Sequence, residues 1–135
     1  MICYRTGNQL DVDAVIDLYR ACTLGERRPI DQRWRMAAML RNANLVVTAW
    51  DGRLLVGIAR SFSDFSFTTY LSDLAVRSSH QRNGVGRELM RLTQQAAPQA
   101  MLVLFAAPGA VDYYSHVGFT HHPSAWVLKP GESIR

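Results

Sequence analysis

The spacing of hydrophobic and polar positions along the chain predicts both helices and strands. Residues 2–5 form a short β-leaning run at the start. From Asp11 onwards, apolar residues recur at the period of one helical face until Leu24-Gly25. A second helical pattern follows Asp31. The chain is therefore predicted to begin with one strand and two helices.

The middle of the chain predicts a β-hairpin and a third strand. Residues 45–50 and 54–60 are rich in β-forming residues, and Asp51-Gly52 between them is a dipeptide typical of tight hairpin turns. Residues 68–76 give the next strand pattern. Strands mixed with helices in this order indicate an α/β protein built on a layered sheet.

The last third of the chain begins with a helical pattern that ends at Ala97-Pro98. A continuous apolar run over residues 101–105 follows, which is typical of a strand buried on both faces of a sheet. Residues 111–116 predict a short helix, and residues 120–129 predict one or two closing strands interrupted at Pro123.

Length and composition favour a single domain over residues 1–135. The chain has 135 residues, of which 48% are hydrophobic, and neither a linker nor a repeat divides it. The longest apolar run has eight residues, whereas a membrane-spanning helix needs about 20. The N-terminus has no pattern typical of a secretory signal. We therefore expect a cytoplasmic protein without a membrane span.

Charge and metal-binding residue types narrow the choice of partners. The formal net charge of +4 favours anionic partners such as coenzymes, nucleotides or nucleic acid. The basic residues are scattered rather than consecutive, which argues against nucleic acid. Cys3, Cys22 and the four histidines have spacings that match no familiar zinc pattern. We therefore expect neither a metal site nor a disulfide framework.

The segment Gln81-Arg82-Asn83-Gly84-Val85-Gly86 lies between the predicted strand at residues 68–76 and a helix. Unpaired backbone N–H groups and the positive end of a helix dipole converge at such a position and favour an anion. Gly84 and Gly86 remove side chains that would hold a phosphate away, and Arg82 and Arg87 add positive charge. The pattern is neither a P-loop nor a dinucleotide fingerprint. We expect a phosphate site, with a plain glycine-assisted helix start as the alternative.

Two motifs resemble those of a known family. Leu74-Ala75-Val76, the polar loop after it and Gln81-x-x-Gly84-x-Gly86 resemble the acyl-coenzyme A signature of the GNAT N-acetyltransferase superfamily. Residues 113–119, Tyr-Tyr-Ser-His-Val-Gly-Phe, resemble its second signature. By this resemblance the chain is identified as a small single-domain GNAT protein of bacterial type. The resemblance implies the GNAT fold, an α/β fold with a twisted, mixed and mostly antiparallel sheet of six to seven strands flanked by about four helices.

The resemblance also implies an enzyme that uses acetyl-coenzyme A as cosubstrate and needs no metal. The acetyl group would pass to a primary amine by direct attack in a ternary complex. Backbone groups of residues 74–76 would align the pantetheine arm like an added strand, and a backbone N–H near Leu74 would polarise the acetyl carbonyl. The residues expected to bind the coenzyme are Leu74, Ala75, Val76, Gln81, Arg82, Asn83, Gly84, Val85, Gly86 and Arg87.

Tyr114 falls at the tyrosine that commonly protonates the departing thiolate in the family, so the resemblance makes it the expected general acid. Packing against the sheet is the alternative. Where many relatives have asparagine, seven residues earlier, this chain has Ala107. We therefore expect one side-chain contact to the coenzyme to be missing. This departure keeps open another function, that of a catalytically silent coenzyme A sensor or partner-binding domain.

An attacking amine must lose a proton, and Asp73 is the expected general base. Strand alternation places Asp73 on the same face as Leu71 and Ala75, which faces either the cleft or a helix. A carboxylate satisfied by internal hydrogen bonds is the alternative. Glu26 and Asp64 are weaker candidates for the base.

The connection between the first two helices carries Arg27 and Arg28, and in the family this connection often borders the acceptor cleft. We expect these arginines to bind a carboxylate or phosphate of the acceptor, with a solvated charge pair as the alternative. Four aromatic residues around the next predicted turn either line an apolar acceptor pocket or pack in the core: Phe62, Phe65, Phe67 and Tyr70. The expected acceptor is a small-molecule or peptide amine, but its identity and the choice between monomer and homodimer stay open.

Overall fold

The computed structural model describes all 135 residues, Met1–Arg135, and divides them into two compact units. The first unit is Met1–Phe105 and the second is Ala106–Arg135. The first unit holds the sheet and three of the four α-helices, and the second holds the fourth helix. A single domain over the whole chain stays a prediction.

The first unit is built on one five-stranded sheet. Its strands are β1 (Ile2–Thr6), β2 (Leu45–Asp51), β3 (Leu54–Ser63), β4 (Thr68–Val76) and β5 (Met101–Leu104), in this order across the sheet. Neighbouring strands are antiparallel except for β4 and β5, which are parallel. The helices are α1 (Val12–Arg20), α2 (Arg33–Asn42) and α3 (Val85–Ala96), with short 3₁₀-helices at Thr23–Arg27 and Ser78–His80. The predicted early helices and central hairpin are confirmed.

A hydrophobic core lies between one face of the sheet and helices α1 and α2. Asp11 caps α1, because its carboxylate accepts a hydrogen bond from the Asp13 N–H at 3.0 Å. The apolar stripe predicted for this helix faces inward and packs against α2 and β3. The core residues of these elements are Val15, Ile16, Leu18, Tyr19, Met36, Leu40 and Ile58.

Helix α3 packs on the opposite face of the sheet, where Gly57 of β3 lets it come close. Ile58 faces the core with α1 and α2, so its neighbour Gly57 faces the other side. A Cβ atom at Gly57 would lie 2.9 Å from Leu89 Cδ1 and 3.2 Å from Val85 Cγ1. The missing side chain therefore sets the distance between α3 and the sheet, and with it the position of the loop that precedes α3.

Strand β5 lies at the edge of the sheet, and β4 is the one strand that pairs with it. Two of its residues, Met101 and Val103, are exposed. The expectation that residues 101–105 form a strand buried on both faces is therefore wrong, because the face of β5 that carries Met101 and Val103 is not covered.

The second unit contains helix α4 (Val111–His116) and no strand. The closing strands expected over residues 120–129 do not form, so the prediction of six to seven strands is wrong and the sheet has five. Backbone N–H groups in this segment bond to nearby side chains instead of to a strand: Ser124 donates to His122 Nδ1, and Lys129 donates to Glu132 Oε1. Pro123, which has no N–H group, interrupts any ladder as well.

The structure shows the state of the two cysteines, the grouping of possible metal ligands and the length of the helices. Cys3 and Cys22 are both free thiols. No three side chains among His, Cys, Asp and Glu form a group that could hold a metal ion. None of the helices is long and apolar enough to cross a membrane.

Replacing Gly57 by alanine is expected to destabilise the protein, because the added methyl group would overlap Leu89 and push α3 outward. Overpacking of this kind lowers the free energy of unfolding by about 1–3 kcal/mol. Gly86→Ala is the control, since a Cβ atom there would meet only Val76 Cγ2, at 3.5 Å. Urea unfolding of both variants measures the difference, and equal stability of the two would contradict the prediction.

Candidate active site

Strand β4 contains a β-bulge at Ser72. Arg60 of β3 pairs with Asp73, whereas the next residue, Ser61, pairs with Leu71, so Ser72 is an extra residue in β4. Directly paired residues share a face, and therefore Leu71 lies on the face of Ser61, opposite to Asp73. The expectation that Leu71 and Asp73 share a face is wrong, because the bulge reverses the alternation between them.

The bulge also marks the point where β4 loses its second neighbour. Pairing between β4 and β5 ends at Leu71, opposite Leu104. From Ser72 to Val76, β3 is the one strand that pairs with β4. This part of β4 therefore has an open edge within the first unit.

The hydrogen bonds of β3 show which backbone groups face the open edge of β4. The Arg77 N–H donates to the Val56 carbonyl at 2.8 Å. Residues of an antiparallel ladder alternate in direction, so Ala75 bonds to β3, whereas Leu74 and Val76 direct their backbone groups away from it. Two of the three residues expected to align pantetheine thus have backbone groups at the open edge.

The glycine loop that follows has an uncapped helix start. Helix α3 begins after Gly84, which has φ +82°, and no side chain caps its first turn. Arg82 also has a positive φ, +65°. The Gly84 carbonyl accepts the first helical hydrogen bond, from Glu88. The N–H groups of residues 85–87 therefore have no partner within the helix and converge at its positive end.

Packing does not explain the glycine at position 86. Its φ is not positive, and a Cβ atom there would meet nothing closer than Val76 Cγ2 at 3.5 Å. Glycine inside a helix costs about 0.5–1 kcal/mol relative to alanine. The space beside the first turn of α3 thus fits a group that approaches the backbone closely. Arg82 and Arg87 are exposed beside it and form no ion pair, so a pyrophosphate fits this space in charge as well.

Arg77 and Ser78 lead from β4 into the glycine loop and form its stem, and the sequence did not single them out. The Arg77 guanidinium donates to the Leu55 carbonyl and to Asp17 of α1, both at 3.0 Å. The Ser78 N–H and hydroxyl both donate to the Ala21 carbonyl, at 2.9 and 2.6 Å. These contacts tie the stem to β3 and to the C-terminal end of α1.

The Asp73 carboxylate lies at the centre of a buried polar cluster. Its side chain has no exposed surface. Oδ2 accepts hydrogen bonds from the Tyr19 hydroxyl at 2.6 Å and from Arg60 Nε at 2.7 Å. Oδ1 accepts from Arg28 Nε at 2.7 Å. Of the two directions left open by the sequence, Asp73 therefore points towards helix α1.

Two opposing effects set the protonation of this cluster. Burial by itself raises the pKa of the Asp73 carboxyl, but the contacts from Arg60, Tyr19 and Arg28 outweigh burial and hold the pKa below its ordinary value. Burial, and then the charge of Asp73, raise the pKa of Tyr19 well above its ordinary value. Asp73 is therefore ionised and fully hydrogen-bonded. These are the properties of the alternative role, that of a satisfied carboxylate, more than those of a base that takes a proton from an amine.

The bulged residue Ser72 is bonded to the same two arginines. Arg28 Nη2 donates to the Ser72 carbonyl at 3.0 Å, and Arg60 Nη2 donates to its hydroxyl at 3.0 Å. Arg60 also donates to the Met39 carbonyl of α2, at 3.1 Å. Sequence reasoning missed Arg60, although a charged residue inside the apolar run of β3 is itself an indication of a buried partner.

The sequence also singled out Arg27, Glu26, Asp64 and Tyr114. Arg27 is exposed and makes no side-chain hydrogen bond, unlike Arg28. Glu26 is also exposed and forms no ion pair. Asp64 closes a turn, since its carboxylate accepts from the N–H groups of residues 66–68. Tyr114 lies in α4 of the second unit, with its ring edge-on to Tyr113 and Phe119.

Comparisons with known proteins agree on one family. Residues 27–129 match the family described as Acetyltransferase (GNAT) domain. The probable acetyltransferase TAP2 of Glycine max is 28% identical to the chain, over 90% of this chain and 53% of its own length. The chain thus spans about half the length of the curated relatives it matches.

Solved structures have the same fold. A probable acetyltransferase of meticillin-resistant Staphylococcus aureus superposes with a TM-score of 0.79 at 21% identity, covering 96% of this chain and 98% of its own. Aminoglycoside N-acetyltransferase AAC(6')-Iy, solved with coenzyme A, superposes with a TM-score of 0.72 at 14% identity, covering 96% of this chain and 94% of its own. The α/β GNAT fold expected from the two motifs is confirmed.

Asp73→Asn is expected to lower the free energy of unfolding by about 3–5 kcal/mol at neutral pH, because it removes the charge that two buried or half-buried arginines share. The pKa of Asp73 is lower in the folded than in the unfolded protein. Its contribution is therefore present above the unfolded value, about pH 4, and is lost as the pH falls through the folded value. The difference between wild type and variant should shrink in acid.

Urea unfolding at neutral and acidic pH measures this difference. Asp31→Asn is the matched control, because the Asp31 side chain is 92% exposed and lies 3.6 Å from Arg20. An exposed pair of this kind contributes at most about 1 kcal/mol. A loss in Asp73→Asn that stays constant on acidification would contradict the prediction.

Proposed function

Because the chain belongs to the GNAT acetyltransferase family, we propose that it transfers the acetyl group of acetyl-coenzyme A to a primary amine. The observation that carries this proposal is the path formed by the open edge of β4 and the uncapped start of α3. Leu74 and Val76 lie on that edge, and Gly86 leaves room beside the first turn of α3. AAC(6')-Iy, which shares the fold, was solved with coenzyme A.

In this proposal the coenzyme lies along both parts of the path. The pantetheine arm bonds to the backbone groups of Leu74 and to the Val76 N–H as an added strand does. The pyrophosphate lies at the N–H groups of residues 85–87, with Arg82 and Arg87 beside it. Gln81 donates to the Val76 carbonyl at 2.9 Å, so its role is to hold the end of β4 next to the loop.

The proposed reaction is a direct attack in a ternary complex. The amine nitrogen forms a bond to the acetyl carbon, and the carbonyl oxygen takes up the negative charge near the Leu74 N–H. The C–S bond then breaks, and the coenzyme A thiolate receives a proton from the Tyr114 hydroxyl. The amine nitrogen gives up its extra proton to water, and the products are an amide and free coenzyme A.

One of the predicted residues, Asp73, takes a modified role in this proposal. Asp73 acts as a positioning residue, which holds Arg28 and the β4 bulge, because its low pKa makes it a weak base. Arg27 and Arg28 border the acceptor. Ala107 replaces the asparagine of many relatives, so the coenzyme depends on backbone contacts that need no particular side chain.

Gly86→Glu is expected to weaken acetyl-coenzyme A binding more than about tenfold, because it places a side chain and a negative charge where the pyrophosphate would lie. The fold should survive, since the site has room for a Cβ atom. Gln95→Glu, on the exposed surface of the same helix, is the control with the same change of charge. Calorimetric titration with acetyl-coenzyme A measures the affinities. Failure of the folded wild type to bind would refute the coenzyme site.

Tyr114→Phe tests the chemical step. Loss of a positioned proton donor is expected to lower kcat by about 10²- to 10⁴-fold, while the affinity for acetyl-coenzyme A changes little. Release of the coenzyme A thiol in the presence of an amine panel gives the rate. An unchanged kcat would assign the proton to another donor. A wild type that binds the coenzyme but acetylates no amine would instead favour the coenzyme A sensor.

A further inference from the structure

The polar cluster around Asp73 carries more positive than negative charge. Arg28 and Arg60 both bond to the single Asp73 carboxylate, and the third partner, Tyr19, is neutral. The side chains of Arg60 and Asp73 are 6% and 0% exposed, so solvent does little to screen them. Two guanidinium groups and one carboxylate leave a net charge of +1 at this place.

No other acidic side chain compensates this charge. Between the end of α1 and Pro29, Glu26 is the one acidic residue, and it forms no ion pair. The nearby Asp31 lies 3.6 Å from Arg20 instead. A half-buried charge without a counterion is unfavourable unless a ligand supplies one.

Arg28 is the member of the cluster that a ligand can reach. Its side chain is 23% exposed. Its hydrogen bonds use the Nε–H to Asp73, one Nη1–H to the Arg27 carbonyl and one Nη2–H to the Ser72 carbonyl. A guanidinium has five N–H donors, so one N–H remains on each terminal nitrogen. Asp73 and Ser72 hold the group in place before any ligand arrives.

The surface next to Arg60 is aromatic. Phe62 and Tyr70 are directly paired across β3 and β4, on the same face as Arg60 and Asp73. The guanidinium of Arg60 lies 5.4 Å from the centre of the Phe62 ring. Both aromatic side chains keep more than a third of their surface exposed. They offer an apolar surface beside the surplus positive charge.

We propose that the amine acceptor carries a carboxylate, and that Arg28 is the residue that selects it. A carboxylate has one negative charge, which equals the surplus of the cluster, and two oxygens that can accept the remaining N–H groups of Arg28. An apolar part of the acceptor lies against Phe62 and Tyr70. The acceptor class is thus an amino acid or a short peptide with a free carboxylate. This inference rests on the proposed acetyl transfer.

The test compares acceptors in matched pairs. Amino acids and dipeptides with aromatic and aliphatic side chains are assayed beside their carboxamides, which keep the amine and lose the negative charge. An amine that bears a phosphate monoester is the third arm. Wild type is expected to prefer the carboxylates over the carboxamides by about 10- to 100-fold in kcat/KM, the range for hydrogen bonds to a charged group.

Three variants test whether Arg28 causes the preference for carboxylates: Arg28→Met, Arg28→Lys and Arg41→Met. Arg28→Met should raise KM for the carboxylates by about 10- to 100-fold and change KM for the carboxamides much less. Arg28→Lys should recover part of the preference, because it keeps the charge and loses the planar fork. Arg41→Met is the control, an exposed arginine with no ion pair. The affinity for acetyl-coenzyme A should be the same in all variants.

The outcomes separate this inference from the proposed function. Equal use of carboxylates and carboxamides by wild type would overturn the inference and leave acetyl transfer intact. A preference for the phosphate arm would also overturn it. If wild type binds coenzyme A but shows no turnover, calorimetric titration of the coenzyme-loaded protein with the carboxylates tests the inference instead. Absence of carboxylate binding would then refute the inference. Failure to bind the coenzyme at all refutes the proposed function, and the inference with it.

Discussion

One extra residue in β4, Ser72, is the constraint on which the rest of the site depends. The bulge turns Leu71 and Asp73 to opposite faces of the sheet. Pairing with β5 ends at the same place, so the backbone of Leu74 is left at an open edge. The bulge also takes the Ser72 carbonyl out of the regular ladder, and Arg28 donates to it at 3.0 Å. The coenzyme edge and the acceptor side of the proposed site therefore begin at the same residue.

The ion pairs around Asp73 are better explained by the geometry they impose than by stability. Burial of a carboxylate between two arginines costs solvation free energy, and the ion pairs offset only part of that cost. Apolar side chains of similar volume often stabilise a protein to the same extent. Apolar side chains, however, could not hold a planar guanidinium at a set place or bond to a bulged backbone. The cluster links β3, β4, α1 and α2 through hydrogen bonds of 2.6 to 3.1 Å. Such fixed groups need little rearrangement when a ligand binds.

Local patterns predicted the parts of this molecule that local forces determine. The helical periods gave α1, α2 and α3, and Asp51-Gly52 gave the hairpin, because each depends on neighbouring residues. The bulge could not be predicted, since one inserted residue leaves no mark on the polar and apolar pattern around it. The partners of Asp73 lie 54, 45 and 13 residues away in the chain, and only the folded sheet brings them together. The closing strands were predicted but do not form, and the reason is local: the backbone N–H groups of Ser124 and Lys129 bond to nearby side chains.

Helix α1 connects the two sides of the proposed site. Its residue Tyr19 donates to Asp73 on the acceptor side, at 2.6 Å. Asp17 on the same helix accepts from Arg77, and the carbonyl of Ala21 at its end accepts twice from Ser78, at the stem of the glycine loop. An element of nine residues thus helps to fix both the arginine proposed to bind the acceptor and the loop that would hold the pyrophosphate. The proposed direct attack involves no covalent intermediate, so it needs the amine and the acetyl carbon at a set distance. A helix bonded to both sides of the proposed site can maintain that distance.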